Sequence, residues 1–146
     1  MNSFKILNLT NIKYNFNLDR LNYLIEIAFQ VQNKIKNINT EFVIYLVDNK
    51  KITELNFKTF GKNKPTDVLS FSYAPVFGEE KLKTFYLGEI FVNIQHENLL
   101  LKSSNIFYLM IIHGLLHLCG YDHDNQKTHN EMFFLQRNIL SCDKYI

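Results

Sequence analysis

The chain has 146 residues, 47% hydrophobic and 14% aromatic, with a formal net charge of +2. That length suits one domain over residues 1–146 with a sizeable core, and so small a charge excludes a protein that holds nucleic acid by bulk positive charge. Two cysteines, Cys119 and Cys142, make no disulfide framework and fit a reducing cytoplasm; no signal-peptide pattern opens the chain, and the longest apolar run, residues 106–119, falls short of the roughly 20 residues that cross a bilayer.

Residues 4–9 alternate and read as a strand. Leu18, Leu21, Leu24, Ile25, Ala28, Val31 and Ile35 form a helical stripe, with Asn17 as N-cap. Residues 42–47 are β-branched and aromatic, hence a second strand. Asp48 then caps a short helix through Phe57, with Leu55 facing inward. Residues 58–66 form a basic loop ending at Pro65, where Lys58, Lys62 and Lys64 make the local patch from which any nucleic-acid contact would have to come, with Lys50 and Lys51 near them in sequence. Residues 68–73 and 85–92 are two more strands, separated by a loop with Pro75, Gly78, Glu79 and Glu80.

A short helix is expected over 97–101. Ser104 or Asn105 caps an apolar helix that runs to about Cys119, and a last helix covers 125–141 with Met132, Phe133, Leu135 and Ile139 inward. The order β-α-β-α-β-β-α-α-α predicts an α+β fold, a mixed sheet of about four strands with packed helices. The 106–119 helix is apolar nearly all round and belongs at the centre.

That helix carries the chemistry. His113 and His117 differ by about 40° of rotation and stand on one face. Gly120 is the residue type that closes a helix in a left-handed turn. The chain can then double back and bring His123 to the other two. Three neutral imidazoles and one open position are the makings of a catalytic zinc site, one ion per chain. Nickel, copper and iron also accept imidazole.

The spacing, with its glycine, is that of the metzincin peptidases, which implies a zincin-like arrangement with the site in a cleft. Their general base, a glutamate after the first histidine, is replaced here by Gly114. The scaffold is present and the peptidase base is absent. Cys119 lies about 200° around the helix from the imidazole face and reads as a buried apolar residue. Asp122 flanks the third histidine and is the candidate carboxylate for orienting a ligating imidazole; a plain turn role is the other reading for it and for Asp124. Asp67 reads as a loop-fixing residue or one that faces the cleft. His96 and His129 lack metal spacing and read as surface residues.

Residues 113–123 resemble the H-G-x-L-H-L-x-G-Y-D-H signature of the YbeY family of endoribonucleases. Leu55-Asn56, Lys62 and residues 65–71 (Pro-Thr-Asp-Val-Leu-Ser-Phe) are similar to a second family block. Leu87-Gly88-Glu89-Ile90 is close to its L-G-D-I, and Glu131-Met132 falls where the family often has the same pair.

The resemblance implies zinc held by His113, His117 and His123, cleavage of single-stranded RNA, and work on the 3′ end of small-subunit ribosomal RNA and in ribosome quality control. It implies the small ribosomal subunit and assembly factors as partners. Whether a water molecule or the ribose 2′-hydroxyl attacks stays open. Phe60 stands where the family usually has an arginine, and Asn105-Ile106 where it tends to have Arg-Glu. Arginine forks onto phosphate, so a weakly cleaving or non-catalytic ribosome-assembly protein with structural zinc is the alternative. Here arginine occurs only at Arg20 and Arg137.

Overall fold

A computed structural model describes residues 2–73, 84–97, 99 and 105–146. Its centre is a four-stranded mixed sheet, and the α+β fold is as expected. The strands are β1 (Asn2–Asn8), β2 (Asn39–Val47), β3 (Val68–Ser72) and β4 (Thr84–Asn93). In space they run β1-β2-β4-β3. The first three in that order are parallel, and β3 is antiparallel on the β4 edge.

Alternation sets which face is buried. On β2, Thr40, Phe42, Ile44 and Leu46 point into the core. On β4 the buried set changes parity, from Phe85 and Leu87 to Ile90 and Val92. The pairing with β2 slips by one residue at the same point. Gly88 makes this bulge possible. Its φ is +135°, and any Cβ would overlap the Phe71 carbonyl oxygen.

The helices among the described residues are α1 (Leu18–Val31), α2 (Asn49–Phe60), α3 (Asn105–Leu118) and α4 (Gln126–Ser141). Asn17, Asp48 and Asn125 cap α1, α2 and α4 by accepting backbone N–H groups of Arg20, Lys51 and Thr128. Helix α3 lies at the centre, against β3, β4, α1 and α4. Every position on it except Asn105 is buried or half-buried. No helix is long and apolar enough to cross a membrane among the described residues.

Four expectations need correction. Helix α1 stops at Val31, not Ile35, because the Gln32 side-chain oxygen accepts the N–H groups of Lys34 and Ile35 and turns the chain. Helix α2 runs on to Phe60 and stops at Gly61, φ +71°, so Lys58 is helical, not in the loop. Its buried residues are Ile52 and Asn56, while Leu55 is only half-buried. Phe133, assigned inward, is 51% exposed, since Met132 and Ile139 already fill the inner face of α4. The loop at 74–83, most of the 97–101 segment and Ser104 lie outside the described residues.

Candidate metal centre

Helix α3 presents His113 and His117 on one face. It ends in a paired turn: the Gly120 N–H donates to the His117 carbonyl and the Tyr121 N–H to the Leu116 carbonyl, both at 3.0 Å. This is a Schellman closure, and Gly120 holds the positive φ, +102°, that it requires. The reversal brings His123 back over the helix. One ring nitrogen from each of the three histidines lies within 4.8 Å of the other two.

The outer nitrogens are tied. His113 Nδ1 lies 3.0 Å from Gln136 Oε1, and His117 Nδ1 lies 3.0 Å from the Tyr121 carbonyl oxygen. A carbonyl oxygen only accepts, so each Nδ1 carries the proton and each Nε2 keeps a lone pair. Those two Nε2 atoms face each other at 3.2 Å. Two lone pairs cannot satisfy one another, whereas a cation shared between them can. The donor set therefore fits a metal ion, and three imidazoles suit zinc. Burial, chiefly, pushes the His113 and His117 pKa values down, and neighbouring histidines add to it. Both rings are thereby kept neutral, the form that ligates.

The turn is clamped by the segment that follows α1. The Tyr121 hydroxyl donates to Asn33 Oδ1 (2.8 Å) and accepts the Asn33 N–H (3.0 Å). Lys34 Nζ donates to the Gly120 carbonyl at 3.2 Å and sits 4.7 Å above the Tyr121 ring. Asp122 accepts the Asp124 N–H at 3.2 Å. A hydrogen bond from Thr128 is the main cause that holds its carboxyl below the usual range. Asp122 thus shapes the turn, while Gln136 and the Tyr121 carbonyl orient the two helical imidazoles.

Gly114 has a packing reason. A Cβ there would sit 2.8 Å from both Ile90 Cγ2 and Ser70 Oγ. The helix lies too close to β3 and β4 for a glutamate at this position. Cys119 is buried, and burial pushes its thiol up to about 12. It is not among the converging ligands.

The three histidines line a cleft of about 560 Å³ with Phe60, Asp67, residues 68–70 of β3 and Asp122. Asp67 both faces this cleft and fixes its own loop, since its carboxylate accepts the Val68 N–H at 2.7 Å. A groove lined by Lys62, Lys64 and His96 adjoins, sharing Phe60, Asp67 and Leu69 with the cleft. Lys58 is exposed on α2 and lines neither. Asn56 donates to the Lys64 carbonyl at 2.9 Å and holds the lysine loop in place. His129 is exposed, as expected, and His96 is half-buried.

Sequence reasoning missed Gln136, Asn33 and both roles of Tyr121, its carbonyl at His117 and its hydroxyl at Asn33. One signal existed for Gln136: it is a polar residue on the Met132–Ile139 stripe of α4, where an apolar one would otherwise belong.

The fold and the site together define an α+β protein with a three-histidine centre fit for a metal ion, open to a cleft. A sequence model described as Endoribonuclease YbeY matches residues 7–142. Proteins named Endoribonuclease YbeY from Sulfurihydrogenibium sp. and Syntrophomonas wolfei are 35% and 34% identical to this chain, over 83% and 88% of it and 84% and 89% of their own lengths. One from Mycoplasma mobile is 32% identical over 95% of this chain and 93% of its own. The chain belongs to the YbeY endoribonuclease family.

Proposed function

We propose that this chain is a zinc-dependent endoribonuclease of single-stranded RNA, with one ion per chain on His113, His117 and His123. Its substrate on this reading is the 3′ end of small-subunit (16S) ribosomal RNA. It acts in the cytoplasm in ribosome maturation and quality control, with the small subunit and assembly factors as partners, as one domain over residues 1–146.

The observation that carries the reading is the pair of Nε2 lone pairs facing each other at 3.2 Å, each fixed by a protonated Nδ1. Zinc on these rings supplies a Lewis acid beside a phosphodiester and a lowered pKa for water. The chain's own residues do the rest. Burial keeps the two helical imidazoles neutral, while Gln136 and the Tyr121 carbonyl fix their tautomer and aim. Lys62 and Lys64 offer phosphate contacts in the adjoining groove, and Lys58 adds charge from the exposed side of α2. Asp122 keeps the His123 turn in shape.

Elemental analysis of the purified chain should find about one zinc per molecule. The same preparation should cut a single-stranded ribosomal RNA fragment, spare a duplex, and lose cleavage on chelation. Cleavage that survives complete removal of metal would refute the reading. The position of Phe60, in the cleft wall where the resemblance expects arginine, favours a second reading: a metal-containing assembly protein that binds the small subunit without cutting. Metal-loaded chain that leaves the fragment uncut while binding the subunit selects it.

A further inference from the structure

Three cavities run together across the histidine centre. Phe60 walls both the central cleft and the lysine groove. His113 and His123 also open into a hollow lined by His129, Phe133 and Gln136. Phe60 is 58% exposed and Phe133 51%. An exposed phenylalanine is ordinary by itself. Here two of them line separate cavities that each include His113 and His123, and each has a cation beside it. Lys62 and Lys64 share the groove with Phe60. The Arg137 guanidinium lies 6.0 Å from the Phe133 ring centre, and the His129 ring stacks parallel to Phe133 at 6.2 Å. The acids of these three cavities, Asp67 and Asp122, line the central cleft with the three histidines.

We propose that Phe60 and Phe133 are base-stacking platforms that hold an RNA strand across the histidine centre, one base on each side of the phosphate to be cut. This rests on the reading of the chain as a ribonuclease. Aromatic rings bind bases through their π-faces, with little regard to sequence, and neighbouring cations track the backbone. In a duplex those faces are covered by stacked neighbours. Selectivity for single strands then follows from two rings, with no dedicated duplex-rejecting element. The acids beside the histidines suit a span where the phosphate meets a cation on the histidines rather than a lysine.

The chain has no tryptophan, so Phe60→Trp and Phe133→Trp each create a single fluorescent reporter. Phe134→Trp is the control: Phe134 is 64% exposed next door and lines none of these three cavities. Each zinc-loaded variant is titrated with a 2′-O-methyl single strand of mixed sequence, with gel analysis to confirm that the strand stays whole. Quenching at positions 60 and 133 but not at 134, and weaker quenching by a duplex, is the expected result. Phe60→Leu and Phe133→Leu should each weaken single-strand binding by roughly fivefold to a hundredfold, with melting curves checked against the unaltered chain. Quenching at neither ring, or at one alone, overturns the two-sided path. Cleavage by the unaltered chain separates the two ideas: intact cleavage without quenching sinks only the platforms, while absent cleavage and binding sinks the nuclease reading and the platforms with it.

Discussion

The two ends of α3 are both polar, one tied to α1 and the other to the segment just after it, yet they close in opposite ways. At the N-terminal end, Arg20 donates through Nε and Nη2 to Asp143 Oδ2 (2.9 and 2.6 Å) and through Nη2 to Asn105 Oδ1 (2.7 Å). Its guanidinium lies 4.2 Å from the Tyr108 ring centre, and the Tyr108 hydroxyl accepts the Asn17 N–H. Every donor named there meets an acceptor. At the C-terminal end the outer nitrogens of His113 and His117 are equally satisfied, but the inner ones meet as acceptor against acceptor. A cluster whose donors and acceptors match is architecture. A cluster of matched outer bonds and converging lone pairs is built for something that arrives from outside.

The comparison breaks first at the histidines. His117→Ala should remove most bound zinc and nearly all nuclease activity. If zinc binds as proposed, a hundredfold excess over its Kd would stabilise the fold by about 2.7 kcal/mol. For a chain near 150 residues this is roughly 5–10 °C in Tm. Chelation should lower the Tm of the unaltered chain by that amount and leave His117→Ala unmoved. An equal response to chelator in both would mean that the metal sits elsewhere.

The N-terminal cluster gives the opposite signature. Asp143→Ala strands a buried guanidinium, since both side chains of the pair are nearly inaccessible. The cost should be about 3–5 kcal/mol, measured by urea unfolding, with zinc content per folded chain unchanged. Loss of zinc in that variant would show that the two ends are not independent.

Between the ends, Gly114→Ala tests the close approach of α3 to the sheet. The new methyl meets Ile90 and Ser70 at 2.8 Å, so overpacking should cost about 1–3 kcal/mol. A stable variant with full metal would show that the helix has room to move, and that the missing glutamate is not a matter of space.

These regions also differ in how far the sequence disclosed them. The histidine spacing and Gly120 announce the site because ligand geometry on a helix is local. The caps at Asn17 and Asp48, the apolar centre of α3 and the mixed sheet are legible for the same reason. The Arg20–Asp143 pair joins residues 123 positions apart, and nothing local marks it. Gln136 acts on the site from α4 and Asn33 from the segment after α1, and both were equally hidden. The bulge at Gly88 shows only when β4 is laid against β2 and β3, although the glycine itself was in view. Phe133 was placed inward because period alone cannot tell a wide apolar face from a narrow one with an exposed ring at its border.

The smallest expected effect concerns protons. In the metal-free chain, burial keeps the folded-state pKa values of His113 and His117 below their ordinary value. The unfolded chain therefore binds more protons than the native one once the pH drops to about 6.5, the ordinary histidine value. Stability gained by keeping the rings neutral is fully present above that pH. It declines as pH falls through 6.5 and levels off below the folded-state values, where both states are protonated. Arg20 and its partners include no histidine, so Asp143→Ala should keep this slope while lowering the whole curve. Gln136→Leu removes the acceptor that raises the His113 pKa, so its decline should be slightly steeper. Urea midpoints of the metal-free chain between pH 5 and 8 make the comparison. A flat profile in the unaltered chain would mean that the rings protonate as readily folded as unfolded, and that their neutral, ligand-ready state owes nothing to the fold.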